Sequence, residues 1–116
     1  MRVSSFGRLF VVQVAMILWL TPALCASTTA NEAMEGCRRF SLTDRGSATL
    51  KQTDAEGYCK GAVEALFVTD VCAPESVTIQ EAVGVVVQFI DRRPSRSKEP
   101  FAVLAREALE SSWPCR

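Results

Sequence analysis

The sequence contains no histidine in its 116 residues. This absence removes the Ser-His and Cys-His pairs that activate nucleophiles, the usual general base near neutral pH, and zinc sites with histidine ligands. Most hydrolase chemistry is therefore excluded. The sequence predicts a protein that is not an enzyme and that carries no metal and no cofactor.

The sequence also has no excess of charge of either sign. Its 13 Lys and Arg residues balance 13 Asp and Glu residues, and no Lys/Arg-rich block occurs. Binding to nucleic acid depends on clustered positive charge facing the phosphates. Nucleic acid is therefore not expected as a partner, and the length predicts a single domain.

The one long apolar run, Leu9 to Leu20, lies near the start of the chain. Arg2 and Arg8 come before it, and a stretch of small residues that ends at Ala26 follows it, which is the order of a secretory signal peptide. The alternative of a membrane anchor is disfavoured because about 20 apolar residues are needed to cross a bilayer. A lipid anchor on Cys25 is disfavoured by the bulky residue before it. We predict a signal peptide over residues 1–26 and a mature domain over residues 27–116, with no membrane attachment after cleavage.

The mature part has the apolar periodicity of helices. After a frayed lead-in over Ser27 to Ala30, Asn31 is predicted to cap a first helix, and Thr43 to Gln52 is predicted to be a loop. Thr53 and Glu56 form a capping-box pattern that predicts a second helix from about Asp54 to Asp70.

Two further helices are predicted in the second half of the chain. Thr78 and Glu81 form another capping-box pattern, which opens a third helix whose valines and Phe89 supply an apolar side. A fourth helix is predicted with Pro100 in its first turn, because proline is tolerated there. The polar stretch between them, Asp91 to Pro100, is predicted to be an exposed connector.

The cysteines are few and predict cross-links rather than chemistry. Once Cys25 leaves with the signal peptide, Cys37, Cys59, Cys72 and Cys115 remain, and four cysteines in a short exported chain predict two disulfides. A bond between Cys59 and Cys72 is excluded because a continuous helix separates them by roughly 20 Å. Two pairings stay open, of which Cys37 with Cys59 and Cys72 with Cys115 is favoured. The absence of a C-x-x-C pair disfavours a redox centre or a zinc site. The predicted fold class is therefore all-α, a compact bundle of about four helices braced by two disulfides.

The order of motifs between Cys37 and Cys115 resembles a known family. The set comprises C-x-G at Cys59, C-x-P with Val-Thr after Cys72, a valine-rich helix, a proline-bearing connector and a terminal Trp-Pro-Cys that ends at Cys115. This set is similar to the Rap/Tai immunity proteins of type VI secretion systems.

The resemblance implies a small periplasmic inhibitor, often dimeric, that binds a cell-wall amidase effector. It also implies that the connector approaches the catalytic cleft of the effector. On that basis the expected partner-binding residues are those of the connector: Arg92, Arg93, Pro94, Arg96 and Lys98.

Three other hypotheses follow from the residues. A periplasmic stress or chaperone-like binding protein is the alternative function, although two disulfides restrain the partial unfolding that such activity requires. An acid/base pair of carboxylates, Glu56 with Glu64 or Glu107 with Glu110, is less favoured than solvated helix surface. Apolar residues on several sides of the third helix, with Phe101 and Trp113, predict a homodimer through that helix.

Overall fold

The computed structural model describes residues 27–42 and 46–116. Its regular elements are four α-helices and one 3₁₀ turn: α1 Ala30–Ser41, α2 Leu50–Thr69, α3 Ile79–Asp91, the 3₁₀ turn Pro94–Arg96, and α4 Phe101–Ser112. The predicted all-α bundle of about four helices is confirmed. The predicted signal peptide, residues 1–26, lies outside the described residues.

Three helices begin at a threonine whose side chain closes a capping box. Thr29, Thr49 and Thr78 each accept a hydrogen bond from a backbone N–H three residues on, and the side chain of that later residue accepts one from the threonine N–H. The two bonds satisfy donors that a helix start leaves unpaired. The prediction for Thr78 is confirmed, whereas the prediction of Asn31 as the cap of α1 is wrong.

The second helix begins earlier than its sequence pattern predicted. Thr53 lies inside α2, where its hydroxyl donates to the Thr49 carbonyl at 3.1 Å. The carboxylate of Glu56, which was expected to close the cap, instead accepts from Arg39 Nε on α1 at 2.7 Å. The predicted loop is therefore wrong over residues 50–52, because the Thr49 box provides the cap and the carboxylate is used between helices.

The segment before α1 is held in place, contrary to the predicted frayed lead-in. The Thr28 carbonyl accepts from Phe101 N at 2.9 Å, and Thr29 forms an isolated antiparallel bridge with Pro100. The N–H groups of Ala30 and Asn31 donate to the carbonyls of Glu99 and Ser97 at 2.9 and 2.8 Å. Carbonyl groups of the connector thus accept hydrogen bonds from backbone N–H groups in the first turn of α1.

The core lies between all four helices. It contains the fully buried side chains Val63, Val83, Val86, Phe101, Leu104 and Leu109, with both Cys37 and Cys59. Helix α3 contacts α1, α2 and α4, which accounts for its apolar residues on several sides. The placement of Phe101 on a dimer face is wrong, because its ring is buried within the protomer.

Helices α1 and α2 approach most closely at Gly36. A side-chain carbon added there would lie 2.2 Å from the carbonyl oxygen of Ala55. Real carbon and oxygen atoms do not approach so closely, so the crossing of these two helices requires a glycine at this position.

Two disulfides link the helices, and the favoured pairing is confirmed. Cys37 and Cys59 join α1 to α2 inside the core, with their Cα atoms 5.3 Å apart. Cys72 and Cys115 join the turn after α2 to the end of the chain, with their Cα atoms 5.0 Å apart, and both residues are exposed. Within the described residues, no helix is both long enough and apolar enough to cross a membrane.

Candidate partner-binding surface

The connector, residues 91–100, is a series of short turns. Arg93 N donates to the Ile90 carbonyl and Arg96 N to the Arg93 carbonyl, both at 2.9 Å, and Glu99 N donates to the Arg96 carbonyl at 3.0 Å. Its far end is bonded to residues 28–31 ahead of and within α1. The predicted connector is therefore confirmed as a link between α3 and α4, and its backbone is fixed at several points.

Arg96 binds the connector to α4. Its guanidinium donates twice to Glu99, at 2.8 and 2.7 Å, and twice to Glu107, at 2.6 and 2.9 Å. These bonds hold the pKa of Glu107 and of Glu99 below the ordinary value of 4.5, because hydrogen bonds from Arg96 stabilise both carboxylates, and they raise the pKa of Arg96. A residue so fully engaged within the chain has a structural part in this surface.

We expect this network to make the fold sensitive to acid. A carboxylate whose pKa is lowered by folding contributes stability above its ordinary pKa, and this contribution is lost as the pH falls through the lowered value. The unfolding midpoint should therefore fall once the pH drops below about 4.5, and it should fall less steeply in Glu107→Gln. Urea unfolding of the unchanged protein and of Glu107→Gln at several pH values between 3 and 7 measures how steeply each midpoint falls with pH.

Glu110→Gln is the matched control for this test. Glu110 lies one turn after Glu107 on the exposed side of α4, and it has no ion pair among the described residues. If Glu107→Gln kept the acid slope of the unchanged protein, or if Glu110→Gln reduced it equally, the Arg96 network would not be the source of the effect.

The guanidinium of Arg93 lies over an aromatic ring. Its guanidinium carbon is 3.6 Å from the centre of the Phe89 ring, and its Nη1 donates to the Phe89 carbonyl at 2.9 Å. Stacking of this kind leaves donors at the edge of the guanidinium free to bind a planar anion. Arg93 is therefore positioned by α3, and it lines a groove between α3 and α4.

Three of the predicted binding residues are exposed: Arg92, Pro94 and Lys98. Arg92 lines the α3–α4 groove, which has a volume of about 280 Å³ and is also lined by Phe89 and two serines of α4. Within the part of the chain that the structure describes, Arg92 and Lys98 have no ion-pair partner. Asp91, the first residue of the connector, pairs with Arg38 of α1 at 2.6 Å.

The structure thus separates the five predicted residues by their contacts. Arg96 is engaged with two carboxylates and Arg93 with Phe89, whereas Arg92, Pro94 and Lys98 face solvent. Ser111 and Ser112, which also line the groove, were not predicted. Nothing in the sequence shows that the end of α4 lies beside the end of α3.

Three of the four carboxylates considered as acid/base pairs serve other contacts, and the fourth, Glu110, lies on the exposed side of α4. Glu56 pairs with Arg39, Glu64 with Lys60 at 3.2 Å, and Glu107 with Arg96. In residues 27–42 and 46–116, no group of three Cys, Asp or Glu side chains is arranged to hold a metal ion. These carboxylates therefore contribute to helix pairing and helix surface.

Comparison with known families supports the resemblance drawn from the ordered motifs. The family model of the Rap1a immunity proteins matches residues 25–115, which include every described helix. A search of curated proteins finds no match to this chain.

Proposed function

Because the chain belongs to the family of Rap1a immunity proteins, we propose that it is a periplasmic immunity protein that binds and inhibits a peptidoglycan amidase delivered by type VI secretion. It would act as an inhibitor, without catalysis of its own. Its two disulfides support this location, since disulfides form and persist in oxidising compartments such as the periplasm. A homodimer is part of the same proposal.

The single observation that carries the inhibitory role is an exposed basic connector on a fixed backbone. Arg92 and Lys98 extend into solvent from a segment whose turns, bridge and ion pairs limit its conformations. A segment fixed before binding loses less conformational entropy when it binds than a flexible loop of equal length. Such a segment is suited to enter the cleft of an enzyme and remain there.

The chemistry of the connector indicates what it would contact on the amidase. Arg92 and Arg93 offer donors at the groove, and Lys98 offers a point charge farther along the connector. Carboxylates on the rim of the amidase cleft would complement these cations. Rim charges of this type mainly accelerate association and make it dependent on salt.

We expect the double variant Arg92→Glu, Lys98→Glu to bind its amidase about 100-fold more weakly at low salt, mainly through slower association, because like charges would then face each other. Binding is measured by surface plasmon resonance against amidase effectors encoded beside this protein. Inhibition is measured as release of cleaved peptidoglycan peptides.

The matched control is Lys51→Glu, a charge reversal at an exposed lysine in the first turn of α2. It should leave binding unchanged. If both variants bound as tightly as the unchanged protein, the connector would not be the contact surface. If the folded, unchanged protein bound none of these amidases, the alternative of a chaperone-like binding protein without a cognate toxin would be favoured.

A further inference from the structure

The residues ahead of α1 and in its first turn hold the far end of the connector. The N–H groups of Ala30 and Asn31 donate to carbonyls of the connector, and the Thr28 carbonyl accepts from the first N–H of α4. Thr29 adds a bridge to the last residue of the connector. We call residues 28–31 the N-terminal clasp. The hydrogen bonds of the clasp to the connector and to α4 join backbone atoms, so they do not depend on the side chains of the clasp.

The N-terminal clasp fixes the backbone on both sides of Lys98. The Ser97 carbonyl accepts from Asn31 N at 2.8 Å, and the Glu99 carbonyl accepts from Ala30 N at 2.9 Å. Lys98 lies between these two acceptors, and it is exposed to solvent. The direction in which the lysine side chain leaves the backbone is therefore set by the clasp.

The other contacts of the connector fix this part of it less. At the near end Asp91 pairs with Arg38, but both side chains are about half exposed, and exposed ion pairs contribute little. Between the two ends a cavity of about 280 Å³, lined in part by Met34, separates the connector from α1. Arg96 ties the middle of the connector to α4 and reaches Glu99 only through its side chain. Beyond Arg96, the clasp supplies the bonds that join the connector backbone to a helix, among the residues that the structure describes.

The donors of the N-terminal clasp are groups that α1 does not need for itself. The first N–H groups of a helix have no acceptor within the helix. Helix α1 can therefore give two of them to the connector without losing a hydrogen bond of its own. A surface that is correctly arranged in only a fraction of the molecules has its affinity reduced by that fraction.

We infer that the N-terminal clasp is a positioning element of the partner-binding surface, which holds Lys98 in the direction that the amidase meets. The inference rests on the proposed function for the identity of the partner. It adds residues 28–31, which lie outside the predicted binding set, and it assigns them an effect on binding without contact to the amidase.

Asn31→Pro tests the inference because proline has no N–H and so removes the bond to Ser97. Proline is tolerated in the first turn of a helix. In the free protein we expect amide hydrogen exchange at Glu99 and Phe101, followed by NMR, to become about fivefold faster, an ordinary effect for the loss of one hydrogen bond. Amides in the middle of α2 should keep their exchange rates. This measurement needs no amidase.

Binding to the amidase should weaken about fivefold in Asn31→Pro, in proportion to the loss of correctly arranged connector. Surface plasmon resonance at low and high salt measures it. The association rate should keep the salt dependence of the unchanged protein, because no charge has been changed. The variant Arg92→Glu, Lys98→Glu should lose that dependence, so the two measurements distinguish a loss of position from a loss of charge.

Two further variants serve as controls. Lys51→Pro places proline at the equivalent position of α2, two residues after the capping Thr49, where the N–H forms no backbone hydrogen bond among the described residues. Asn31→Ala is the conservative variant, since it keeps the backbone N–H. Both should retain the connector exchange rates and the amidase affinity of the unchanged protein. Circular dichroism checks that all variants fold.

Three results would overturn the inference. Asn31→Pro could leave exchange in the connector unchanged, it could bind the amidase as tightly as the unchanged protein does, or Lys51→Pro could weaken binding equally. A failure of the proposed function gives a different result, in which the unchanged protein binds no amidase. That result would overturn the positioning role as well, whereas the exchange rates would still show whether the clasp fixes the connector.

Discussion

Replacing Gly36 by alanine should lower the free energy of unfolding by about 3 kcal/mol, at the upper end of what overpacking a close-packed core produces. The added methyl carbon would lie 2.2 Å from the Ala55 carbonyl oxygen and 2.9 Å from the Glu56 nitrogen. These atoms belong to the backbone of α2, so no side chain can rotate away to make room. Either α1 must move outward or α2 must bend, and the core between them loosens in both cases. Urea unfolding followed by circular dichroism measures the change.

Gly84→Ala is the matched control for this substitution. Gly84 also lies within a helix, but a side-chain carbon there would meet no atom within 4 Å. The same chemical change should therefore raise stability by up to about 1 kcal/mol, because alanine is the better helix former. Overpacking of a core normally costs at least about 1 kcal/mol. If Gly36→Ala lowered the free energy of unfolding by less than this, the two helices would have adjusted to a wider crossing.

The second large effect concerns the order in which the disulfides are reduced. The Cys72–Cys115 bond joins two exposed residues, whereas both residues of the Cys37–Cys59 bond are fully buried. Reduction requires a thiolate to reach a sulfur atom in line with the bond, so the buried pair must wait for the structure to open. We expect the exposed bond to be reduced at least about tenfold faster under native conditions. Timed alkylation followed by peptide mapping identifies which cysteines become free.

The double variant Cys72→Ser, Cys115→Ser separates accessibility from loop length. It removes the exposed bond, whose 43-residue separation is longer than the 22 residues of the buried bond. From chain entropy alone, removing this bond should cost about 0.6 kcal/mol more stability than removing the buried bond. The remaining Cys37–Cys59 bond should still resist reduction in this variant. Equal rates for the two bonds in the unchanged protein would contradict the role assigned to burial.

Helix starts illustrate what the sequence could and could not reveal. Threonine followed three residues later by Glu or Gln occurs at Thr29, Thr49, Thr53 and Thr78, and the pattern alone does not rank neighbouring candidates. The cap of α1 at Thr29 could have been predicted from the sequence, because its capping-box pattern is complete. The sequence could not decide between Thr49 and Thr53 as the cap, because the decision depends on the ion pair between Arg39 of α1 and the Glu56 carboxylate.

The disulfides and the connector show the same contrast between what the sequence reveals and what only the fold decides. Pairing could be narrowed because the length of one helix limits which cysteines can meet. The contacts of the connector could not be narrowed, because three arginines in one polar stretch are equivalent in sequence. Only the fold brings Glu107 to Arg96 and the Phe89 ring to Arg93, and leaves Arg92 exposed.

The bonds between the start of α1 and the connector bear on the order in which the chain can acquire its structure during synthesis. The first turn of α1 donates to carbonyls of Ser97 and Glu99, and Phe101 donates back to Thr28. A ribosome makes these partners some seventy residues apart. Helix α1 therefore lacks these contacts until the connector and the start of α4 have been made. Until then the first turn of α1 stays without part of its final hydrogen bonds, so its structure is completed only after α3 has been made.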